Sequence, residues 1–438
     1  MNTVVVKFGG SSLADATQFR KVAAIIQSNP ARRYVVASAP GKRFSEDIKV
    51  TDLLYQCHQA AASGQDFMPV LNQIRTRFSD IIRDLEISFD LDSEFQSIQA
   101  HLESDPQRDY MASRGEYLNS KVLAAFMGRP FVDPADFIRF HADGSFDAER
   151  TDTDLGAALQ TLDTAVVAGF YGALPDGTIH TFSRGGSDVT GAIVAAAVRA
   201  DMYENWTDVS GMLVTDPRVV DHPQVIDYIS YRELRELSYM GASVLHEDSV
   251  FPVRKVGIPI NIRNTNRPED NGTIITCERP SGQKARSVTG IAGRKGFSSV
   301  HVEKSMMNAE VGFGSGLLQV FASHGIPFEH CPSGIDTMSV IVNTDELAPH
   351  REEILQEIRD RFQPDMLVVE DNLALLAVVS PGMPYSKGIA APIFAALVQA
   401  GVVIRMIDQG SSKLNIILGV AEEDYETAVR SIYDAVMS

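Results

Sequence analysis

The sequence of 438 residues has only three cysteines, one tryptophan and no long apolar run. Cys57, Cys277 and Cys331 are odd in number and far apart, which excludes a disulfide framework and any obvious zinc-ligand spacing. Such cysteine usage is typical of a reducing compartment. No apolar run is long enough to cross a bilayer, and the first residues enter a strand without a signal-peptide pattern. We therefore expect a cytoplasmic protein.

Positive charge is also scarce, because the formal net charge is −18. This charge argues against a general nucleic-acid surface and against binding to an anionic membrane, so we expect neither partner. A small basic pocket for a phosphate ligand stays compatible with it. The length predicts two or three domains, and the hydrophobic content of 44% is ordinary for globular domains.

The first dozen residues combine a strand, a glycine turn and the start of a helix. The β-branched run Thr3–Val6 predicts a buried strand, KFGGSS follows at 7–12, and residues 13–26 have helical periodicity. Glycines let a backbone approach a ligand closely, and helix starts attract phosphate. The lysine precedes the glycines, so this is not the Walker pattern. Taken alone, the hexapeptide fits an ordinary strand-end turn equally well.

A second junction of the same kind is RGGSD at 184–188, between a predicted strand at 178–182 and a predicted helix at 189–200. Asp188 could simply be the N-cap of that helix, although an N-cap does not require the preceding Arg-Gly-Gly. With Lys7, this junction suggests a track for anions with phosphates at one end and a small acid at the other. Positioned cations of this kind suit phosphoryl transfer.

Two further segments offer polar side chains. SRGE at 113–116 is predicted to open a helix that runs to Met127, where Glu116 could be an ordinary first-turn carboxylate. The loop 38–52 follows a predicted strand and contains a hydroxyl and several cations, which could line a ligand site or could be solvated. Its polar residues include Lys42, Arg43, Lys49 and Thr51.

The C-terminal part repeats a ferredoxin-like order. A region rich in Pro, Gly and charge ends the first domain, which we place at 1–280. The predicted strands are 297–302, 328–331, 338–343 and 366–370 in one repeat, and 373–379, 402–407 and 414–420 in the other. The second repeat lacks a strand that 288–292 would supply. We therefore expect a first module at 297–371 inserted into a second module made of 287–296 plus 372–438.

Five ordered motifs together resemble one family. They are KFGGSS at 7–12, SRGE at 113–116, RGGSD at 184–188, WTDVSG at 206–211 and TDPR at 215–218. They are similar to those of aspartate kinases, which belong to the amino acid kinase superfamily. The resemblance covers the whole chain and implies an α/β fold: an amino acid kinase three-layer sandwich with a mainly parallel central sheet, followed by two ferredoxin-like βαββαβ ACT modules.

The resemblance implies ATP-dependent phosphorylation of the β-carboxylate of L-aspartate to 4-phospho-L-aspartate, the first step towards lysine, threonine and methionine, with ATP and Mg²⁺ required. Lys7 and Asp188 would be catalytic, with Asp188 orienting the cations. Aspartate would be bound by Ser38, Thr51, Glu116, Arg184 and Ser187. The nucleotide would be held by Lys7, Gly9, Gly10, Ser11, Thr207, Asp208, Asp216 and Arg218. No side chain is assigned as a metal ligand.

The ACT modules imply feedback inhibition by an amino acid and pairing into a homodimer. Gly312 and Gly314 precede a predicted helix, and Glu329 lies on the next predicted strand, so the three could bind the two charged ends of an amino acid. A tight turn with an exposed glutamate is the ordinary alternative. Lysine is the expected effector, with threonine as the second candidate.

The sequence departs from the family where Ser243 replaces a common lysine and Leu213 replaces a common tyrosine. These changes affect the expected nucleotide contacts. One alternative is therefore a catalytically weak amino-acid-sensing protein with a degenerate kinase domain. Another is a relative that acts on glutamate or a carbamate, although Glu116 and Arg184 together match both charged ends of a free amino acid.

Overall fold

The computed structural model describes residues 2–183, 185–242, 245, 247–278, 287–381, 388–410 and 413–437. They form two compact units. The first comprises Met1–Met212, Val225–Tyr231 and Val244–Arg279, and the second comprises Leu213–Gln224, Arg232–Ser243 and Pro280–Ser438. Among the described helices, none is both long enough and apolar enough to cross a membrane.

Ten strands belong to the first unit: β1 (Val4–Phe8), β2 (Arg32–Ala37), β3 (Phe131–Val132), β4 (Ala165–Ala168), β5 (Tyr171–Ala173), β6 (Ile179–Thr181), β7 (Met202–Thr207), β8 (Tyr228–Ser230), β9 (Ile260–Asn264) and β10 (Thr273–Thr276). Eight of them make one sheet in the order β3-β4-β2-β1-β7-β9-β10-β8. Only the β9–β10 pair is antiparallel among these described strands. β5 and β6 form a separate hairpin.

The helices of the N-terminal part are α1 (Ala16–Gln27), α2 (Val50–Ala62), α3 (Met68–Asp84), α4 (Asp92–Ser104), α5 (Arg108–Met127), α6 (Ala148–Gln160), α7 (Gly186–Ala197), α8 (Tyr231–Tyr239) and α9 (Glu247–Val256). Of these, α8 belongs to the second unit from Arg232 onward. Strand alternation sends Val6 and Phe8 of β1 into one apolar core with α1–α5. Lys7, on the other face, meets α7, which packs on β1, β2 and β7. Helices thus cover both faces of the sheet, and the predicted three-layer sandwich is confirmed.

The second unit contains a five-stranded sheet in the order β12-β11-β13-β15-β14, with every pair antiparallel. Its strands are β11 (Gly290–Glu303), β12 (Thr337–Asn343), β13 (Met366–Val379), β14 (Met406–Asp408) and β15 (Asn415–Ala421). Its helices are α10 (Phe313–Ser323), α11 (Thr344–Leu347), α12 (Arg351–Phe362), α13 (Ala390–Gln399) and α14 (Tyr425–Met437). One apolar core lies under α10 and α12, and another lies under α13 and α14.

The two long strands differ from the sequence-based prediction. The predicted strands at 288–292 and 297–302 are parts of β11, and those at 366–370 and 373–379 are parts of β13. Gly296 and Asn372 have positive φ angles of 93° and 57°, and the pairing register shifts around residue 297. Local irregularities of this kind let a strand continue where the sequence suggests a turn.

The two halves of β11 pair with different segments, as an inserted first module would require. Gly290–Gly293 pair with Leu376–Val379, whereas residues 297–303 pair with both 366–373 and β12. The domain limits themselves stay predictions.

The predicted strand at 328–331 is wrong, because these residues make only an isolated bridge between His330 and Ile341. The prediction also missed the short strands β5, β8 and β10.

Candidate functional site

An ion pair between a buried lysine and a half-buried aspartate stands at the carboxyl end of a central strand of the first unit. Lys7, near the end of β1, places its Nζ atom 2.5 Å from Oδ1 of Asp188 in the first turn of α7. Asn205 is the register partner of Lys7 on β7, and its amide donates a hydrogen bond of 2.8 Å to the same oxygen. Asp188 is not the N-cap of α7, because Gly185 occupies that position. Two neighbouring strands and a helix therefore fix the position of this pair.

The glycine turn after β1 is closed by backbone contacts. Gly9 donates its N–H to the carbonyl of Trp206 at 3.0 Å, and Gly41 donates to the carbonyl of Gly10 at 2.8 Å. A Cβ atom on Gly10 would stand 2.9 Å from the carbonyl oxygen of Ala39. Glycine is therefore required at position 10 for this approach of two loops.

The turn borders a cleft of about 600 Å³ in the first unit. Its walls include three cations of the loop after β2, Lys42, Arg43 and Lys49. The sequence alone did not decide whether these side chains line a ligand site or are only solvated. Eight of the predicted site residues also line the cleft: Gly9, Gly10, Ser11, Ser38, Thr51, Glu116, Thr207 and Asp208. The structure thus brings to one cavity eight of the fourteen residues predicted for catalysis, substrate and nucleotide binding.

Glu116 differs from its predicted setting. It lies well inside α5, which begins at Arg108, so the helix start does not stabilise its charge. The side chain is buried, and Ser187 donates a hydrogen bond of 3.4 Å to its Oε1 atom. Burial raises the pKa of Glu116 to about 7, although the Ser187 hydroxyl and the charge of Lys7 oppose the shift. Within the described residues Oε2 has no hydrogen-bond partner, so it can receive a donor from a ligand.

Three supporting residues were not found from the sequence. Asn119 lies one turn after Glu116 on α5 and donates to the carbonyl of Ser38 at 2.7 Å. This i, i+3 spacing was the available signal. Asn205 could have been found by counting strand register from Lys7. Buried Arg77 on α3 had no local signal, because its partners are distant in sequence.

Arg77 holds the loop that follows β2. Its guanidinium pairs with Asp47 at 2.7 Å and donates to the carbonyl oxygens of Gly41 at 2.6 Å and Ala14 at 3.1 Å. Arg43 also pairs with Asp47, and its hydrogen bond is the main reason that the pKa of this carboxyl lies well below its usual range. These ion pairs and hydrogen bonds therefore hold the cleft wall at residues 41–45 in place.

Several described residues of the predicted set are absent from the lining of the cleft. Lys7 and Asp188 pair with each other beside the glycine turn, and Ser187 contacts Glu116, which does line the cleft. Asp216 and Arg218 belong to the second unit, where they pair with each other at 2.6 Å. Arg184 and Ser243 lie outside the described residues, so the expectations for them are unchanged.

The predicted effector residues lie in the second unit. Gly312 has φ +90° and caps α10, and Gly314 is in the first turn of that helix. Glu329 accepts hydrogen bonds from Arg294 at 3.0 Å and from the hydroxyl of Tyr239 at 2.5 Å. Neither partner belongs to the loop around Gly312. The grouping of these three residues into one effector site stays a prediction.

Comparison with known proteins identifies the family. A model of the amino acid kinase family matches residues 2–264, and an ACT domain model matches residues 376–436. Aspartokinase 3 of Bacillus subtilis (strain 168) is 37% identical over 445 residues, which cover 98% of this chain and 97% of the relative.

Solved structures agree with this similarity. The crystal structure of Clostridium acetobutylicum aspartate kinase is 46% identical, with a TM-score of 0.90 and full coverage of both chains. Aspartokinase III of E. coli, solved in complex with lysine and aspartate, is 25% identical, with a TM-score of 0.74 and full coverage of both chains. The predicted family is confirmed: the chain belongs to the aspartokinases of the amino acid kinase family.

Proposed function

We propose that this chain transfers the γ-phosphoryl group of ATP to the β-carboxylate of L-aspartate and forms 4-phospho-L-aspartate. The observation that carries the proposal is the Lys7–Asp188 pair, held by Asn205 beside the glycine turn that lines the cleft. Phosphoryl transfer needs positioned charge more than covalent chemistry. The similarity to aspartokinases supports aspartate as the acceptor.

At the nucleotide end, Lys7 would contact the oxygens of the transferring phosphoryl group. Gly9, Gly10 and Ser11 line the cleft beside it and would let the triphosphate approach the backbone closely. Thr207 and Asp208 line the same cleft and would contact the nucleotide. Asp216 and Arg218 stay predicted nucleotide contacts.

At the acceptor end, Glu116 would bind the ammonium group of aspartate. Its buried Oε2 atom lacks a partner in the described part of the chain, and an ammonium donor would satisfy that oxygen. Ser38, Thr51 and Ser187 would add hydrogen bonds to the substrate. Arg184 would bind the α-carboxylate, ideally through two parallel hydrogen bonds.

The reaction follows from this arrangement. An oxygen of the β-carboxylate attacks the γ-phosphorus, the bond from that phosphorus to the β,γ-bridging oxygen breaks, and ADP leaves. No base is needed, because the carboxylate is already ionised at neutral pH. Lys7 stabilises the charge that develops on the transferring group, and Asp188 and Asn205 keep its ammonium in place.

The donors present also fit Mg²⁺ bound mainly through the phosphates. Lys7 and Asn205 both contact Oδ1 of Asp188, which leaves Oδ2 as a carboxylate donor for the ion. Mg²⁺ commonly uses one or two carboxylates together with substrate phosphates and water. When bound, it would neutralise negative charge on the phosphate oxygens.

We further propose that lysine inhibits the enzyme through the ACT modules, with threonine as the second candidate effector. We expect the enzyme to be cytoplasmic and to serve the synthesis of lysine, threonine and methionine. We also expect a homodimer that forms through the ACT modules. The E. coli relative solved with lysine supports an amino-acid effector. The degenerate-sensor alternative is not favoured, because the Lys7–Asp188 pair is intact.

An assay of ADP release, with ATP and Mg²⁺ supplied, tests the acceptor and the effector together. We expect turnover with L-aspartate and little with L-glutamate, and inhibition by lysine or threonine but not by D-lysine. Equal turnover with glutamate would contradict the assigned acceptor. Turnover that neither amino acid changes would contradict feedback control.

A further inference from the structure

Two histidines and two glutamates cluster where α10 ends and α12 begins in the second unit. His324 follows the last residue of α10, His350 precedes α12, and Glu353 is in its first turn. Nδ1 of His324 lies 3.8 Å from Oε2 of Glu353, and Nδ1 of His350 lies 3.7 Å from the same oxygen. One donor atom from each of the three residues lies within 4.8 Å of the others.

A fourth side chain, Glu357, faces the other ring nitrogen of His324. Nε2 of His324 faces Oε2 of Glu357 at 3.6 Å, and the other oxygen of Glu357 accepts a hydrogen bond of 2.7 Å from Arg361. This separation is longer than a hydrogen bond, and shortening it by a few tenths of an ångström would place a carboxylate on the second ring nitrogen, which is the usual way in which proteins orient a histidine that binds a metal. An ordinary surface ion pair does not require this second carboxylate.

From this geometry we propose that His324, His350 and Glu353 form a binding site for a divalent transition metal, with Zn²⁺ the best match. Two imidazoles and a carboxylate suit Zn²⁺, whereas Mg²⁺ and Ca²⁺ prefer oxygen ligands alone. Donors around tetrahedral Zn²⁺ are about 3.4 Å apart, given bond lengths of about 2.1 Å. The histidine–glutamate separations seen here need to shorten by a few tenths of an ångström, and the two histidine nitrogens, which lie within 4.8 Å of each other, also need to approach.

The site would join two helices over the same apolar core. Both α10 and α12 contribute to that core, through Leu317 and Ile358 among others. A metal that binds the folded protein and not the unfolded chain raises the midpoint of thermal unfolding. Three protein ligands leave one position for water. This proposal is independent of the kinase reaction, because it involves none of the cleft residues.

Metal titration of the full-length chain, without an affinity tag and after chelator treatment, tests the site. We expect one Zn²⁺ per chain by calorimetry, a raised unfolding midpoint, and a tetrahedral visible spectrum with Co²⁺. His350→Gln and Glu353→Gln should each weaken Zn²⁺ binding at least ten-fold. Glu357→Gln should weaken it by about ten-fold, because it acts through His324.

His141→Gln is the matched control, since His141 is an exposed histidine 3.9 Å from one carboxylate, Asp147. It should leave Zn²⁺ affinity unchanged. Equal affinity of the unmodified chain and His350→Gln would overturn the proposal, as would the lack of stoichiometric binding. A thiolate charge-transfer band with Co²⁺ would also overturn it, because it would assign the metal to a cysteine such as exposed Cys277.

Discussion

The ammonium group of Lys7 lies 2.5 Å from Oδ1 of Asp188, so that the end of a central strand and the first turn of a helix share one charge pair. Lys7 is 7% exposed, which limits the freedom of its long side chain. A cation held in this way needs little reordering when the phosphates bind, which favours catalysis.

Replacing Lys7 by methionine keeps the apolar stem and removes the charge. We expect kcat/KM to fall by about 100-fold or more, because a positioned group that stabilises the transition state is lost. Lys21→Met is the control, since Lys21 is exposed and bonds only Asn266 among the described residues. Steady-state kinetics check both variants, and similar losses in the two would contradict the role of Lys7.

The junctions that carry this pair were predictable because their signals are local. A β-branched run, paired glycines and helical periodicity place Lys7 and Asp188 at strand–turn–helix boundaries from sequence alone. Their 2.5 Å contact was not predictable in the same way, since it depends on which strands are neighbours. The pairing of β1 with β7 also brings Asn205 beside Lys7.

Glu116 predicts a pH dependence of substrate use. Its pKa is about 7 in the free protein because the side chain is buried. Since the ammonium of aspartate requires the ionised carboxylate, kcat/KM for aspartate should rise as pH increases through about 7. In Glu116→Gln we expect this rise to disappear and KM for aspartate to increase about ten- to a hundred-fold. The control Glu103→Gln, at an exposed position, should keep the increase of kcat/KM with pH. The same increase in Glu116→Gln would contradict the assignment.

The same carboxyl predicts how stability changes with pH. It ionises near 4.5 in the unfolded chain and near 7 in the folded protein, so the folded state retains a proton that the unfolded state loses. Its contribution is fully present below 4.5 and is lost as pH rises through 7, by about 3 kcal/mol. Urea unfolding of the wild type and Glu116→Gln at pH 5 and pH 8 measures this. Equal pH dependence in both proteins would contradict the account.

Arg77 predicts a coupling between stability and the cleft. Arg77→Met removes the donor to Gly41 and leaves Asp47 with Arg43 alone, so we expect a loss of about 3–5 kcal/mol and a higher KM for ATP. The control Arg83→Met removes only exposed ion pairs and should cost less than about 0.5 kcal/mol. Urea unfolding and steady-state kinetics compare the two, and equal losses of stability would contradict the bracing role.

Gly10 predicts a steric effect at the turn. The Cβ atom of Gly10→Ala would meet the carbonyl oxygen of Ala39 at 2.9 Å and the amide of Gly41 at 3.2 Å. We expect a loss of about 1–3 kcal/mol and a raised KM for ATP. Gly410→Ala adds the same methyl group where nothing lies within 4 Å, and should change neither. A Gly10→Ala protein with wild-type stability and KM would contradict the close approach.

The features that sequence reasoning missed depend on long-range packing. The start of α5 was placed too late, so Glu116 was assigned to a first turn rather than to a buried position within the helix. The sequence predicted separate strands on either side of Gly296 and of Asn372, yet β11 and β13 run through these positions because the two strands pair with each other before and after them. Arginine is usually exposed, so nothing in the sequence indicated that Arg77 is buried and holds the loop after β2.

The most direct test of the central claim is acyl phosphate formation from L-aspartate, trapped as the hydroxamate, with ATP and Mg²⁺ at saturation. We predict ATP-dependent hydroxamate in amounts equal to the ADP released, and a loss of about 100-fold or more in Asp188→Asn, which leaves Lys7 without its charged partner. No hydroxamate from the wild type, or an equal yield from Asp188→Asn, would contradict the account.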